Sequence, residues 1–288
     1  MMQELIEKAT VLLEALPYIR SFYDKTVIIK YGGSVMFDPA IRRSVLQDIV
    51  FMNYVGMQPI LVHGGGPFIN ERLKKLNKEV RFVNGFRVTD EDTMVVVEEE
   101  LLEVNREIVK ELIALGSTAI SLSGKDDHLL MTKKHADIDG IDIGFVGEVV
   151  KVNGDILEKL VTSDIIPVIA PLGIGKDGNA YNVNADNAAA EIAKDVGALK
   201  FVLLTDVDGI LHDPKDPTSL ITHATAVEIN DMIKKGIITG GMIPKVQACL
   251  TALERGVKKA HIVNGKISHA LLLEIFTDKG IGTEIVRK

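Results

Sequence analysis

Val27-Ile28-Ile29-Lys30-Tyr31-Gly32-Gly33-Ser34 and Ile60-Leu61-Val62-His63-Gly64-Gly65-Gly66-Pro67 share one pattern: a short apolar run, then glycines, then the start of a helix. Such runs, rich in β-branched residues, fill sheets buried on both faces, and Pro67 fits a first helical turn. A helix start exposes unpaired N–H groups and the positive end of its dipole. Glycines let an oxygen-rich ligand approach that backbone without a Cβ in the way. The two junctions together predict an α/β fold that handles phosphate or carboxylate. Neither is a Walker loop or a G-x-G-x-x-G fingerprint, and a plain tight turn explains either one equally well when it is taken alone.

The alternation continues outward from these junctions. Val27–Lys30, Pro59–His63, Thr118–Ser121, Ile166–Ala170, Phe201–Thr205 and His261–Val263 read as strands. Helical spacing covers 39–55, 67–77, 90–115, 186–196, 225–236 and 243–256, giving a layered α/β fold. Arg81–Thr89 and Leu129–Lys151 interrupt the alternation and read as hairpins, which extend a sheet or cover a site. Pro171–Gly178 carries the longest loop signal and predicts a boundary between residues 26–175 and 176–288. Ahead of the first strand, residues 1–25 hold a detached amphipathic helix over 3–16, with Pro17 just beyond it. Its apolar stripe is expected to cover its own domain or to pair with another subunit.

With 288 residues, 47% of them hydrophobic and 25% charged, the chain is long enough for a substantial core without staples. A net charge of −7 argues against nucleic acid as a bulk partner and leaves small anions open. The single cysteine, Cys249, excludes an internal disulfide and falls in an apolar helical pattern, so it reads as core. Charged residues interrupt the N-terminal segment, and no apolar run approaches the ~20 residues of a membrane span, so a cytoplasmic location is expected.

Further clusters carry chemistry. Gly85-Phe86-Arg87-Val88-Thr89-Asp90 places Arg87 just before a helix cap at Thr89 or Asp90, where its fork can clamp a carboxylate. Tyr181-Asn182-Val183-Asn184-Ala185-Asp186 sets two amides and a carboxylate before a helix of small residues, though Asp186 also reads simply as an N-cap. Thr205-Asp206-Val207-Asp208-Gly209-Ile210 ends a buried strand at the edge where open α/β sheets bind ligands. Thr239-Gly240-Gly241-Met242-Ile243-Pro244-Lys245 repeats the opening theme, so two lysines now flank two glycine loops. Phosphoryl transfer relies on such positioning and charge neutralisation.

In order and spacing, Lys30-Tyr31-Gly32-Gly33, Val62-His63-Gly64-Gly65-Gly66, Gly85-Phe86-Arg87-Val88-Thr89, Asn182-Val183-Asn184-Ala185-Asp186, Leu204-Thr205-Asp206-Val207 and Gly240-Gly241-Met242-Ile243-Pro244-Lys245 resemble the amino acid kinase family over residues 26–288. The combination of G-F-R-V-T with N-V-N-A-D points within that family to the members that phosphorylate N-acetyl-L-glutamate. The resemblance implies a three-layer αβα sandwich with a largely parallel central sheet, plus the N-terminal helix. It implies Lys30 and Lys245 on the transferring phosphoryl group with Asp186 holding both, and Gly65, Gly66, Arg87 and Asn182 on acetylglutamate. ATP is then bordered by Gly32 and Gly33, by Thr205, Asp206, Val207, Asp208, Gly209 and Ile210, and by Gly241, Met242 and Ile243, with Mg²⁺ bridging its phosphates and no protein ligand assigned to the metal. A γ-carboxylate is already ionised near pH 7, so no general base is required, and His63 reads as a structural residue at a strand end.

The N-terminal helix and the segment His269–Thr283 resemble those of arginine-inhibited hexameric members, which are trimers of dimers. That implies feedback by arginine, with Lys200, His269 and Glu274 as contacts, although the segment also reads as a last core helix. A P-II type signalling protein binds some such relatives, and no feature here marks a surface for it. Two other readings stay open: a kinase for another acyl-amino acid of the aminoadipate type, and a non-catalytic arginine or nucleotide sensor.

Overall fold

The computed structural model describes residues 2–254, 256–277 and 279–288. In chain order its first half comprises α1 (Met2–Phe22), β1 (Thr26–Tyr31), α2 (Pro39–Tyr54), β2 (Gln58–His63), α3 (Gly66–Lys75), β3 (Phe82–Val83), β4 (Phe86–Arg87), α4 (Glu91–Ala114), β5 (Thr118–Ser123), β6 (Leu130–Lys134) and β7 (Val146–Val152). Then come α5 (Asp155–Val161), β8 (Ile165–Ala170), β9 (Leu172–Gly175), β10 (Ala180–Val183), α6 (Ala185–Asp195), β11 (Lys200–Thr205), β12 (Ile210–Leu211) and β13 (Leu220–Ile221). The chain closes with β14 (His223–Thr225), α7 (Ala226–Lys234), α8 (Met242–Glu254), β15 (Lys259–Asn264), α9 (Ala270–Ile275) and β16 (Thr283–Val286).

The apolar runs form an eight-stranded sheet in the order β14-β16-β15-β11-β1-β2-β8-β5. It is parallel except at β15–β16, where the chain reverses. Strand alternation divides the core between its two faces. Ile28, Ile60, Val62 and Leu203 pack with α5, α6 and α8, whereas Val27, Ile29, Leu61 and Val202 pack with α2, α4 and α9. These side chains are fully or almost fully buried, each contributing roughly 1.5–3 kcal/mol relative to exposure. The result is the three-layer αβα sandwich expected from the sequence. Lys30 shares the face of Ile28, which aims it toward α6.

Both expected hairpins form, β3–β4 and β6–β7, and the second closes into a four-stranded ring with β9 and β10. Half of the Pro171–Gly178 loop signal is therefore strand. Gly173 is needed because a Cβ there would lie 2.1 Å from Thr132 Cγ2 of the neighbouring β6, so glycine marks close strand approach rather than a loop.

Helix α1 also departs from expectation, running through Pro17 to Phe22. Proline costs one backbone hydrogen bond. The turn beyond it is held by packing instead: Tyr18 lies against Phe276, with ring centroids 6.3 Å apart, and Phe22 sits under the Lys200 ammonium at 4.9 Å. Upstream, Ile6, Val11, Leu12, Leu13 and Leu16 are exposed, so there the stripe does not cover its own domain. No helix among the described residues is long and apolar enough to cross a membrane.

Candidate active site

Lys30, near the C-terminal end of β1, meets the start of α6, and its Nζ lies 2.9 Å from Asp186 Oδ1. Lys245, in the first turn of α8, approaches Asp186 Oδ2 at 3.9 Å. Asp186 does not cap its helix. Asn184 takes that role, its Oδ1 accepting from the N–H groups of Asp186 (2.9 Å) and Asn187 (3.1 Å), which leaves the Asp186 carboxylate for the lysines. Burial works against the Asp186 charge, but the Lys30 and Lys245 ammonium groups prevail and hold the carboxyl below its ordinary range. Burial lowers the Lys245 pKa; Asp186 opposes that shift and Lys30 adds to it. Two cations and one anion leave net positive charge where a phosphoryl group can sit.

Asp186 and Lys30 form the floor of a cavity of about 270 Å³ that also brings together Gly65, Gly66, Arg87 and Asn182. Arg87 Nη2 donates to Gly66 O at 3.2 Å and to Asn70 Oδ1 at 2.5 Å, while its guanidinium lies 4.9 Å from the Phe82 ring centroid. The Arg87 Nη1 nitrogen is buried with no hydrogen-bond partner. Burial lowers the Arg87 pKa to about 10, so it stays cationic near neutrality. Thr89 Oγ1 donates to Arg87 O (2.9 Å) and accepts from Asn182 Nδ2 (3.2 Å), joining the hairpin to the end of β10. Asp90, not Thr89, caps α4. Ile69, Phe82 and Leu101 give the cavity an apolar side.

The glycines divide by role. A Cβ on Gly32 would lie 2.7 Å from Leu204 O, one on Gly33 2.7 Å from Pro67 Cδ, and one on Gly65 2.5 Å from Leu101 Cδ2; a Cβ on Gly66 would meet nothing within 4 Å. The first three serve close packing of the two junctions, and Gly66 opens to the cavity. Of the glycines expected near ATP, Gly33 lines this cavity and Gly32 does not.

A second cavity, of about 410 Å³, is lined by Asp206, Val207, Asp208, Gly209, Ile210 and Met242. Thr205 is buried behind it, and Gly241 and Ile243 lie outside its lining. Ile237 and Ile238 add an apolar wall that carries no recognisable motif. The loop is pinned from behind by residues equally silent in the sequence: Asn264 Nδ2 donates to Asp208 Oδ1 (2.6 Å), and Ile210 N donates to Thr283 Oγ1 (2.8 Å).

A third cavity, of about 430 Å³, joins Lys200 and Glu274 with His261, Lys259 and Glu284 beside Tyr18 and Phe22 of α1. His261 Nδ1 donates to Glu274 Oε1 at 2.6 Å, and Glu274 Oε2 accepts from Ile281 N (2.7 Å) and Gly282 N (3.0 Å). His269 does not join this group; its Nδ1 lies 2.6 Å from Asp48 Oδ1. Cys249 is buried in α8, as expected of a core residue.

Residues 25–264 match the profile of the amino acid kinase family. The chain is 52% identical over 284 residues to the acetylglutamate kinase of Petrotoga mobilis, spanning 98% of this chain and 94% of that one. It is 53% identical over 281 residues to the acetylglutamate kinase of Thermoanaerobacter pseudethanolicus, spanning 97% and 93%. Among solved structures, N-acetylglutamate synthase from Neisseria gonorrhoeae, complexed with coenzyme A and N-acetyl-glutamate, superposes with a TM-score of 0.86 at 26% identity. That match covers 97% of this chain and 63% of the synthase, so this chain spans less than two thirds of that protein. Carbamate kinase from Giardia lamblia bound to AMP-PNP shares the fold, with a TM-score of 0.68 at 15% identity over 92% of this chain and 99% of that one.

Proposed function

This chain belongs to the amino acid kinase family, and we propose that it transfers the γ-phosphoryl group of ATP to the γ-carboxylate of N-acetyl-L-glutamate, forming N-acetyl-L-glutamyl 5-phosphate in arginine biosynthesis. A carboxylate oxygen attacks Pγ, the bond from Pγ to the bridging oxygen breaks, and ADP leaves. The observation that carries this reading is the Lys30–Asp186–Lys245 cluster, whose Lys30 and Asp186 line the same cavity as Arg87, a residue whose buried Nη1 has no hydrogen-bond partner. Arg87 takes the α-carboxylate, Asn182 and the N–H groups of Gly65 and Gly66 hold the acceptor's other oxygens, and the apolar side accepts the acetyl methyl. Lys30 and Lys245 neutralise charge developing on the phosphoryl oxygens.

The second cavity takes the nucleotide, its isoleucines forming an apolar wall suited to the base; Mg²⁺ carried by ATP would supply neutralisation of phosphate charge. Residues 26–175 then form the acceptor lobe and 176–288 the nucleotide lobe, meeting where β1 pairs with β11. Hydroxylamine trapping of acyl phosphate tests the reaction, with acetylglutamate set against glutamate, aspartate and N-acetyl-aminoadipate. Signal confined to acetylglutamate is the expected result. Signal with the longer homologue alone would reassign the acceptor, and none from folded, ATP-binding protein would leave a sensor.

Arginine as inhibitor is the regulatory part of the proposal. Its support is the third cavity, in which Lys200, Lys259, Glu274 and Glu284 offer both signs of charge beside α1. A relative in the fold, the Neisseria gonorrhoeae synthase, has been solved with L-arginine. The exposed stripe of α1 supports a homohexamer joined through these helices. Loss of arginine inhibition in Lys200→Ala, with catalysis retained, is the expected result; undiminished inhibition would remove the cavity from the account.

A further inference from the structure

His63 is fully buried at the end of β2, directly beneath the glycines of the acceptor cavity, and does not line that cavity. Both ring nitrogens have partners. Nε2 lies 3.1 Å from Asn105 Nδ2, and Nδ1 lies 3.0 Å from Gly64 O. The Asn105 amide nitrogen also lies within hydrogen-bond distance of Leu122 O (3.2 Å) in β5 and Val168 O (2.9 Å) in β8. An amide nitrogen facing two carbonyls can only be a donor. A carbonyl can only accept, so Gly64 O places the proton of the neutral ring on Nδ1, and Nε2 is left as an acceptor that shares the two Asn105 amide hydrogens with Leu122 O and Val168 O. Burial lowers the His63 pKa to about 4, so the ring is neutral wherever the enzyme is assayed.

A planar trans peptide makes this consequential. In the unit joining Gly64 to Gly65 the C=O and N–H bonds point in opposite directions. A Gly64 carbonyl drawn inward by His63 aims the Gly65 N–H outward. The Gly64 N–H is already committed to Tyr31 O at 2.8 Å, so the backbone is clamped on both sides of the Gly64 Cα. Beyond Gly65, α3 begins, and its first N–H groups have no acceptor within the helix. Left free, a glycine run would lose this orientation, since glycine backbone is the least restricted of all.

We infer that His63, held as the Nδ1–H tautomer between Gly64 O and Asn105, is a positioning residue for the acceptor: through the Gly64 carbonyl it aims the Gly65 N–H at the carboxylate to be phosphorylated. This rests on the acceptor reading of the first cavity. His63 touches no substrate and moves no proton. Asn105 sits on α4, so the same amide links β5 and β8 to His63 at the end of β2 and, through it, to the loop that meets the acceptor.

Phenylalanine keeps the ring and removes the donor, whereas asparagine returns an N–H near the Nδ1 position. His63→Phe is expected to reduce kcat/KM for acetylglutamate by about 10–100-fold, somewhat less than the loss on removing an oxyanion-hole donor outright. KM for ATP should stay within about twofold, and His63→Asn should recover most of the loss. Unchanged kcat/KM in His63→Phe, a parallel rise in both KM values, or an equally impaired but folded His63→Asn would overturn the assignment. If His63→Phe does not fold, ¹⁵N NMR of the histidine-labelled wild-type protein decides: a proton on Nδ1 supports the inference, and a proton on Nε2 ends it. That measurement needs no substrate, so its failure is distinct from a failure of acetylglutamate to be phosphorylated.

Discussion

The Lys30 ammonium lies 2.9 Å from the Asp186 carboxylate, and neither residue is more than 8% exposed. Replacing Asp186 by asparagine removes the anion and leaves Lys30 and Lys245 facing each other in a poorly solvated site. Burial and Lys30 already depress the Lys245 pKa, and Asp186 is the main group opposing them. In Asp186→Asn, Lys245 should therefore deprotonate at lower pH than in the wild type. We expect kcat to fall by roughly 10²–10³-fold, the scale of losing one charge-stabilising group, with the alkaline limb of the kcat profile moved to lower pH. Steady-state rates across pH 6–10 (roughly the span over which a depressed lysine titrates) check both; an unmoved limb would remove Asp186 from control of Lys245.

Asn184 caps α6 and leaves the Asp186 carboxylate to the lysines. Its side chain accepts from the Asp186 and Asn187 N–H groups, so Asn184→Ala should cost about 1 kcal/mol of stability. Asp186 would also lose the fixed turn that aims it at the lysines. Urea unfolding and kcat together test this: Asn184→Ala should lose more than tenfold in kcat, and Asn184→Ser, which can still cap, should recover both quantities. A stability loss with full activity would show that Lys30 alone fixes Asp186.

The motifs that decide the site were legible because each required a special backbone or a charge. Lys30, Arg87, Asp186 and Lys245 sit beside glycine junctions or hairpins whose local sequence is distinctive, and the structure brings all but Arg87 into one ionic cluster. What stayed hidden depends on packing between distant segments. Helix α1 passes Pro17 because Tyr18 and Phe22 find partners on Phe276 and Lys200, and helix propensity knows nothing of them. Gly173 reads as a loop until β6 is seen against it. Thr283 and Asn264 are ordinary residues until they meet the loop carrying Asp208 and Ile210. Local sequence left Asp186 undecided between cap and site residue; Asn184 settles the cap by a difference of two positions.

Arg87 offers a prediction about geometry rather than charge. Its Nη2 is spent on Gly66 O and Asn70 Oδ1, leaving Nη1 for a ligand. Lysine keeps the charge but has no fork, so it cannot hold the loop and a carboxylate together. Arg87→Lys should raise KM for acetylglutamate at least tenfold while KM for ATP and the melting temperature change little. Calorimetric titration of acetylglutamate into the variant provides the check, and wild-type affinity there would place the α-carboxylate elsewhere.

Asp48 and His269 make a stability switch distant from the chemistry. Asp48 is fully buried in α2, its Oδ1 2.6 Å from His269 Nδ1. Burial pushes its pKa up to about 6, even though His269 and the backbone of Leu272 and Leu271 favour the charged form. A carboxyl whose folded pKa exceeds its unfolded value holds its proton more tightly in the native state. Its stabilising contribution is complete below the unfolded pKa of about 3.9 and is lost as pH rises through about 6. The full swing is of the order of 3 kcal/mol. Asparagine cannot ionise but can still accept from the imidazole. The stability of the wild type relative to Asp48→Asn should therefore fall by that amount as pH rises through this window, then level off above it. Urea unfolding of both proteins at matched pH values reads the difference directly, cancelling every other titrating group they share. A difference that stays flat across the window would mean that His269 and the helix start hold Asp48 ionised throughout, with burial overcome.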